Sequence, residues 1–448
     1  MKVNSSTISP AQLHTIVARA STLFERLDPQ RFSPSPIVDE TLLQSRLDAW
    51  CQAVAKGDFE HFQRCLEWDG LDLEVAKRAV SSVDFRHDAT LPSWTETLLS
   101  VLDLAASALA TEPELEAETQ HRFLNQQKPL PFEQILSPFV QFAQRELMLK
   151  AGECYQRLTE QVHAVLERAL LGQLIDIATR PLQLTFTTWQ LSQQSSFSRL
   201  LTRIQPSPSR SLYTQFVQEM LQRDLVSFLV EYATLARLLT TITDLWIESQ
   251  NEFLQRLNAD WLVIEATFGS DVSLGQVIDA KPLLSDPHRG RRSVTTFTIE
   301  PNLHLVYKPK HLGIEQAYNQ MLVWLYAEGI PLSLKALQVI DCGTYGWVEF
   351  VESLPCTDIA QLERHYQRAG MLLCLTYVLD ATDCHYENMI ASGEHPVLID
   401  TETLMQHRPK NQPWKDVQTA QQLAFNHLYN SVTRTALLPV WEQESNDK

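Results

Sequence analysis

Through residue 255 the apolar positions fall three and four apart. The stretches 12–27, 139–178 and 220–257 all carry this spacing, which predicts helices with one buried stripe each. Proline-containing breaks at 28–40, 125–134 and 203–212 separate them. No repeat of fixed period runs through the region. A plain helical scaffold accounts for the pattern, and periodicity alone assigns it no peptide-binding role.

The texture changes near Ala259. Residues 292–310 predict two short strands joined at the turn-like Glu300-Pro301-Asn302. Residues 314–329 have helical spacing. Residues 334–354 return to strands, with a turn at Cys342-Gly343-Thr344. A long helix is predicted over 359–381, then a polar loop over 382–395, then a short apolar strand over 396–400, with helix again to the end. The expected class is α+β. A helical region, 1–255, precedes a small lobe of strands and one helix, 256–352, and a larger lobe, 353–448.

Composition narrows the function classes. A formal net charge of -17 and a pI near 5.2 disfavour nucleic acid as a general partner. Only 13 of 448 residues are Gly, which long helices tolerate better than a sheet with many tight turns. The seven cysteines include no CxxC pair, so neither a zinc site nor a disulfide framework is expected, and a reducing cytoplasm fits. No secretory signal and no long apolar span is visible in the sequence.

The candidate chemistry lies in three clusters. The first is Asp383-Cys384-His385-Tyr386-Glu387-Asn388, followed by Asp400 at the end of an apolar strand. Protein kinases place an Asp and an Asn five residues apart in their catalytic loop and carry a metal-binding Asp on a following strand. Mg²⁺ takes oxygen ligands, which Asn388 and Asp400 can supply. Asp383 can orient a hydroxyl and take its proton. His385 either takes part or braces the loop. The same residues would also serve as caps in an ordinary polar loop.

The second cluster is the lysine strand ending Tyr307-Lys308-Pro309-Lys310. A lysine there suits the α- and β-phosphates of ATP, with Lys308 the first choice and Lys310 the second. Glu315, opening the next helix, could pair with Lys308, although an exposed acid in a first helical turn is the ordinary reading. The third cluster is Ser285-Asp286-Pro287-His288-Arg289-Gly290-Arg291-Arg292, where a kinase would have its glycine-rich loop. Asp286 and His288 could handle a proton, and the arginines a leaving phosphate. Solvent-facing charges are the plainer account.

Taken in order, SDPHRGRRSV, VYKPK, DCHYENM and VLIDTETLM resemble the dehydratase domain of class II lanthipeptide synthetases, whose pattern is roughly GDxHxxGRxV, YKPR, DxHxxN and DxET. The resemblance spans about residues 260–440. It implies a two-lobed, lipid-kinase-like catalytic core that uses ATP and Mg²⁺ to phosphorylate Ser and Thr of a leader-bearing precursor peptide, then eliminates the phosphate. Lys308, Asp383, His385, Asn388 and Asp400 would serve phosphorylation, and Asp286 and His288 elimination. Ser285 stands for the family Gly and Lys310 for the family Arg. An RxxxRxT-like stretch and a zinc-dependent cyclase follow in the family. The resemblance therefore implies a core incomplete at its C-terminus, with elimination weak or dependent on a separate chain. A kinase without elimination and an inactive peptide-binding remnant are the alternatives.

Overall fold

The computed structural model of the chain describes residues 7–35, 39–110, 121–193, 210–269, 273–406 and 420–439. The proline-containing breaks at 36–38 and 203–209, and residues 440–448, lie outside them. The fold mixes helix and sheet, with helices dominant, and divides into two compact units. One holds residues 1–156 and 163–256, the other 157–162 and 257–448.

The first unit follows the helical spacing. Its helices are α1 (Pro10–Ala20), α2 (Glu40–Ala55), α3 (Phe59–Trp68), α4 (Leu73–Val80), α5 (Trp94–Ala110), α6 (Glu133–Ala151), α7 (Glu160–Gln193), α8 (Arg210–Glu219), α9 (Leu225–Glu231) and α10 (Ala233–Ala259). Asp39, Asp58 and Asp72 cap the starts of α2, α3 and α4, each side chain accepting a backbone N–H three residues on. Leu47, Phe62, Leu66 and Val80 close the core of these three helices. Arg122 pairs with the buried Glu167 and donates to Tyr155 Oη at 2.6 Å, so a buried carboxylate is neutralised inside the bundle. A two-stranded ribbon of β1 (Phe32–Pro34) and β2 (Val83–Phe85) was not predicted; three residues per strand are too few to show alternation. Among the described residues no single helix is long and apolar enough to cross a membrane, and the one pair that passes together is bent by 104°.

The second unit opens with α11 (Trp261–Phe268) and a five-stranded antiparallel sheet. Its strands are β3 (Val277–Lys281), β4 (Thr295–Ile299), β5 (Leu303–Lys308), β6 (Val339–Asp341) and β7 (Gly346–Glu349), in the order β3-β4-β5-β7-β6. The β4–β5 hairpin turns at Glu300–Asn302, as the sequence predicts, through a cis Glu300–Pro301 bond. β3 is an edge strand that the sequence did not announce.

Period-two alternation gives the sheet two distinct faces. Phe297, Tyr307 and Trp347 cluster on one; Trp347 is fully buried, and its ring lies 5.0 Å from Tyr307 and 5.8 Å from Phe297. Its indole N–H donates to Asp260 at 2.8 Å. Trp347→Phe keeps an aromatic ring but strips that carboxylate of a buried donor. The expected loss is about 1–3 kcal/mol of unfolding free energy, read from urea denaturation.

The opposite face carries Val306 and Val348, and there the rest of the unit packs. α12 (Gly313–Ala327) follows β5. Further on come α13 (Ile359–Val378) and the hairpin of β8 (Met389–Ser392) and β9 (His395–Leu398), with α14 (Ala420–Tyr429) after it. Val397 joins Leu312, Leu337, Val348 and Val351 under the sheet. Its neighbour Leu398 points the other way, into a core of Tyr318, Leu322, Leu372, Cys384 and Leu404. β9 is thus buried on both sides, which explains why it reads as a continuous apolar run. The hairpin tip is clamped to α13. Arg368, 4% exposed, donates to Ser333 O at 2.8 Å and pairs with Glu394 Oε1 at 3.1 Å, and Arg364 also holds Glu394.

Candidate functional site

Lys308 shares the Val306 face of β5, so its side chain runs toward β9. Its Nζ donates to Ile399 O at 2.6 Å and lies 3.9 Å from Glu315 Oε1. Burial lowers its pKa, against the pull of Glu315. Lys310 lies two residues on. Its Nζ reaches Asp400 Oδ1 at 2.9 Å, Glu402 Oε2 at 3.1 Å and Glu315 Oε1 at 3.6 Å. Burial works against the Lys310 charge, but Asp400 outweighs it and the pKa rises. Burial would likewise raise Asp400, yet Lys310 holds it below the usual carboxylate range.

Glu315 departs from the sequence reading. It is 5% exposed, not a solvated first-turn acid, and its Oε1 accepts no hydrogen bond. The reason is non-local: the first turn of α12 sits directly behind the end of β5, so Glu315 faces both lysines. It contacts Lys308, at long range, and shares that charge with Lys310.

The polar loop is fixed at both ends by the core. Ala381 and Cys384 are buried, Cys384 N–H donates to Thr435 O at 2.8 Å, and Thr403 Oγ1 donates to Thr382 O. Asp380 and Asp383 take left-handed φ values of 57° and 60°, a region that Asp tolerates better than most residues. Asp383, next to the buried Cys384, is exposed. His385 Nε2 stands 3.2 Å from Asp383 Oδ1, while His385 Nδ1 accepts Glu387 N–H at 3.2 Å. A neutral ring therefore carries its proton on Nε2, aimed at Asp383. The Asn388 amide nitrogen donates to Asp383 O at 2.8 Å and lies 3.4 Å from Asp383 Oδ2. That leaves the Asn388 amide oxygen available.

The two groups meet through the hairpin, since Ile399 N–H donates to Asn388 O at 3.0 Å. Lys308, Lys310, Glu315, Asp400 and Glu402 form one set of contacts, and Asp383, His385 and Asn388 the other. Sequence reasoning did not single out Glu402, although it lies two residues beyond Asp400. It also missed Arg434. This guanidinium, its side chain 7% exposed, pairs with Asp380 at 3.0 Å and donates to Tyr377 O, 57 positions back, at 2.8 Å, bracing the start of the loop from far along the chain. No local pattern marks it.

Asp286 and His288 stand apart. Backbone bonds of 2.9 Å in both directions between His288 and Arg292 close a tight loop, and Arg289, Gly290 and Arg291 all take positive φ. Both side chains are exposed. Among the described residues no hydrogen bond or ion pair links either one to Lys308, Asp383 or Asp400.

The donor set fits a hard cation bound together with phosphate. Asn388 and Asp400 offer oxygens at the open end of the β8–β9 hairpin, where its two strands begin and finish, and Glu315 Oε1 is a buried orphan beside two lysines. Among the described residues no three His, Cys, Asp or Glu side chains form a ready-made metal cluster. Mg²⁺ in nucleotide sites needs only one or two carboxylates, with water and phosphate oxygens completing the shell.

Comparison with known proteins agrees with the motifs. Residues 232–448 match the family described as a domain of unknown function, DUF4135. Over 174 residues the chain is 32% identical to the lacticin 481/lactococcin biosynthesis protein LcnDR2 of Lactococcus lactis subsp. lactis. The match takes in 36% of this chain and spans 18% of that relative's length. Residues 232–448 thus carry a DUF4135 match, and part of the chain is similar to a lacticin 481/lactococcin biosynthesis protein, in keeping with the resemblance that the four motifs indicate.

Proposed function

We propose that the chain acts in lanthipeptide biosynthesis, as a kinase-like dehydratase that phosphorylates Ser and Thr of a leader-bearing precursor peptide and then expels the phosphate. The observation that carries the reading is the contact of Lys310 with Asp400, 90 positions apart, beside the Asp383–Asn388 loop. Such an assembly of lysine, acidic loop and post-strand Asp suits phosphoryl transfer.

ATP would supply the phosphoryl group, and Mg²⁺ would neutralise charge on its phosphate chain. Asn388 and Asp400 would hold the metal, and Lys308 the phosphates. Asp383 orients the peptide hydroxyl and accepts its proton, while His385 and Asn388 fix the carboxylate. In elimination, a base takes the Cα proton, the electron pair forms the double bond and phosphate departs. By resemblance Asp286 and His288 belong to that step. Among the described residues no hydrogen bond or ion pair joins them to the lysines or to Asp383, which favours one second reading, a phosphotransferase without elimination.

The test is mass spectrometry of a leader-bearing Ser/Thr peptide after incubation with the pure chain, Mg²⁺ and ATP. A gain of phosphate supports the kinase step, and loss of water at the same residues supports both steps. An unchanged peptide, with no ATP consumed, refutes the proposal.

A further inference from the structure

Lys310 is the unexplained member of the site. Lys308 already offers a buried cation on the lysine strand, yet a second ammonium lies within 2.9, 3.1 and 3.6 Å of Asp400, Glu402 and Glu315. Three carboxylates against two ammoniums, Lys310 and the more distant Lys308, leave the cluster net negative. One of them, Glu315, is more than nine-tenths buried, and its Oε1 has no hydrogen-bond partner. A buried carboxylate oxygen without a donor is costly unless the site is completed by something else. Asp400 Oδ1 is already engaged twice, by Lys310 and by the Glu402 N–H at 3.2 Å.

We propose that Lys310 is a resident counter-cation: it occupies the carboxylate cluster of Glu315, Asp400 and Glu402 until a divalent metal enters, and then withdraws to an anionic ligand. This rests on the reading of Asp400 as a metal ligand. A metal on the remaining Asp400 oxygen would lie about a carboxylate's width from the ammonium and repel it. The four-carbon stem of lysine can swing clear, whereas a bidentate arginine would be more firmly held. Metal entry and anion binding are thereby coupled. Without an anion to receive Lys310 the metal binds weakly, and with one it binds well. Such coupling is reciprocal.

The test measures Mn²⁺ binding to the full chain by electron paramagnetic resonance, with and without ADP. In the native chain ADP is expected to tighten Mn²⁺ binding by at least about tenfold. Lys310→Met should tighten Mn²⁺ binding without ADP by about tenfold, and the gain from ADP should shrink in proportion. Unchanged or weaker binding in Lys310→Met, with ADP coupling intact, overturns the proposal. Lys310→Gln replaces the Met variant if that one fails to fold, as judged by circular dichroism. Asp400→Asn in the Lys310→Met background separates the two layers of inference. Loss of Mn²⁺ there keeps Asp400 as a ligand whatever Lys310 does. Retention of Mn²⁺ removes the metal from this site and overturns both.

Discussion

Asp400→Asn is expected to lower ATP-dependent phosphorylation by about 10²- to 10³-fold while leaving the fold in place. The substitution preserves shape and one oxygen donor but removes the negative charge from the end of β9. Losses of that size accompany removal of one preorganised electrostatic contact from an active site. The structural cost should be small. Lys310 holds the folded-state pKa of Asp400 below its ordinary 3.8, so the pair's contribution is present above that value and disappears as pH falls through the depressed one. At neutral pH the variant therefore forfeits the pair, but the side chain is 32% exposed and water screens it, so the loss should not exceed about 1 kcal/mol. Initial phosphorylation rates beside a thermal melt separate these effects. Native rates in the variant would remove Asp400 from the chemistry.

Arg368→Ala should be the most destabilising single charge deletion in the second unit, at about 3 kcal/mol. Arg368 is 4% exposed and serves three acceptors: Ser333 O, Glu394 O and the Glu394 carboxylate. Removing it strands carbonyls in a packed environment and loosens the hairpin tip that carries β9. Arg364→Ala is the internal control. Arg364 also holds Glu394 but is 39% exposed, so its loss should cost less than about 1 kcal/mol. Chemical denaturation of both variants decides the matter. Equal costs would mean that Glu394, not the burial of Arg368, carries the clamp.

What the sequence revealed depended on whether the cause was local. The β4–β5 hairpin was legible because Glu300-Pro301-Asn302 is turn chemistry between alternating runs. α12 and α13 were legible because three-and-four spacing persists through them. β3 and β8, of five and four residues, were not. One is an edge strand defined by pairing with β4, and the other hides in a polar loop until β9 pairs with it. In the candidate site, spacing supplied residue types but not contacts. That Lys310, and not Lys308, reaches Asp400 follows from how β5 lies against β9. The burial of Glu315 follows from where the first turn of α12 lands, and the bracing by Arg434 from a contact far along the chain. Asp286 and His288 show the converse. Their motif is conspicuous in the sequence, yet among the described residues no hydrogen bond or ion pair joins either side chain to the lysines or the acidic loop.

The double burial of β9 bears on how this part of the molecule comes apart. Val397 is committed to the core under the sheet and Leu398 to the core against α13, so neither core can melt while the other keeps its strand. The hairpin thus ties two hydrophobic clusters into one cooperative foldon. Backbone amides of β9 should exchange with deuterium only at the free energy of global unfolding of this unit, and later than those of the edge strand β3. Breathing that admits a substrate must then come from side chains and loops around a hairpin that does not yield.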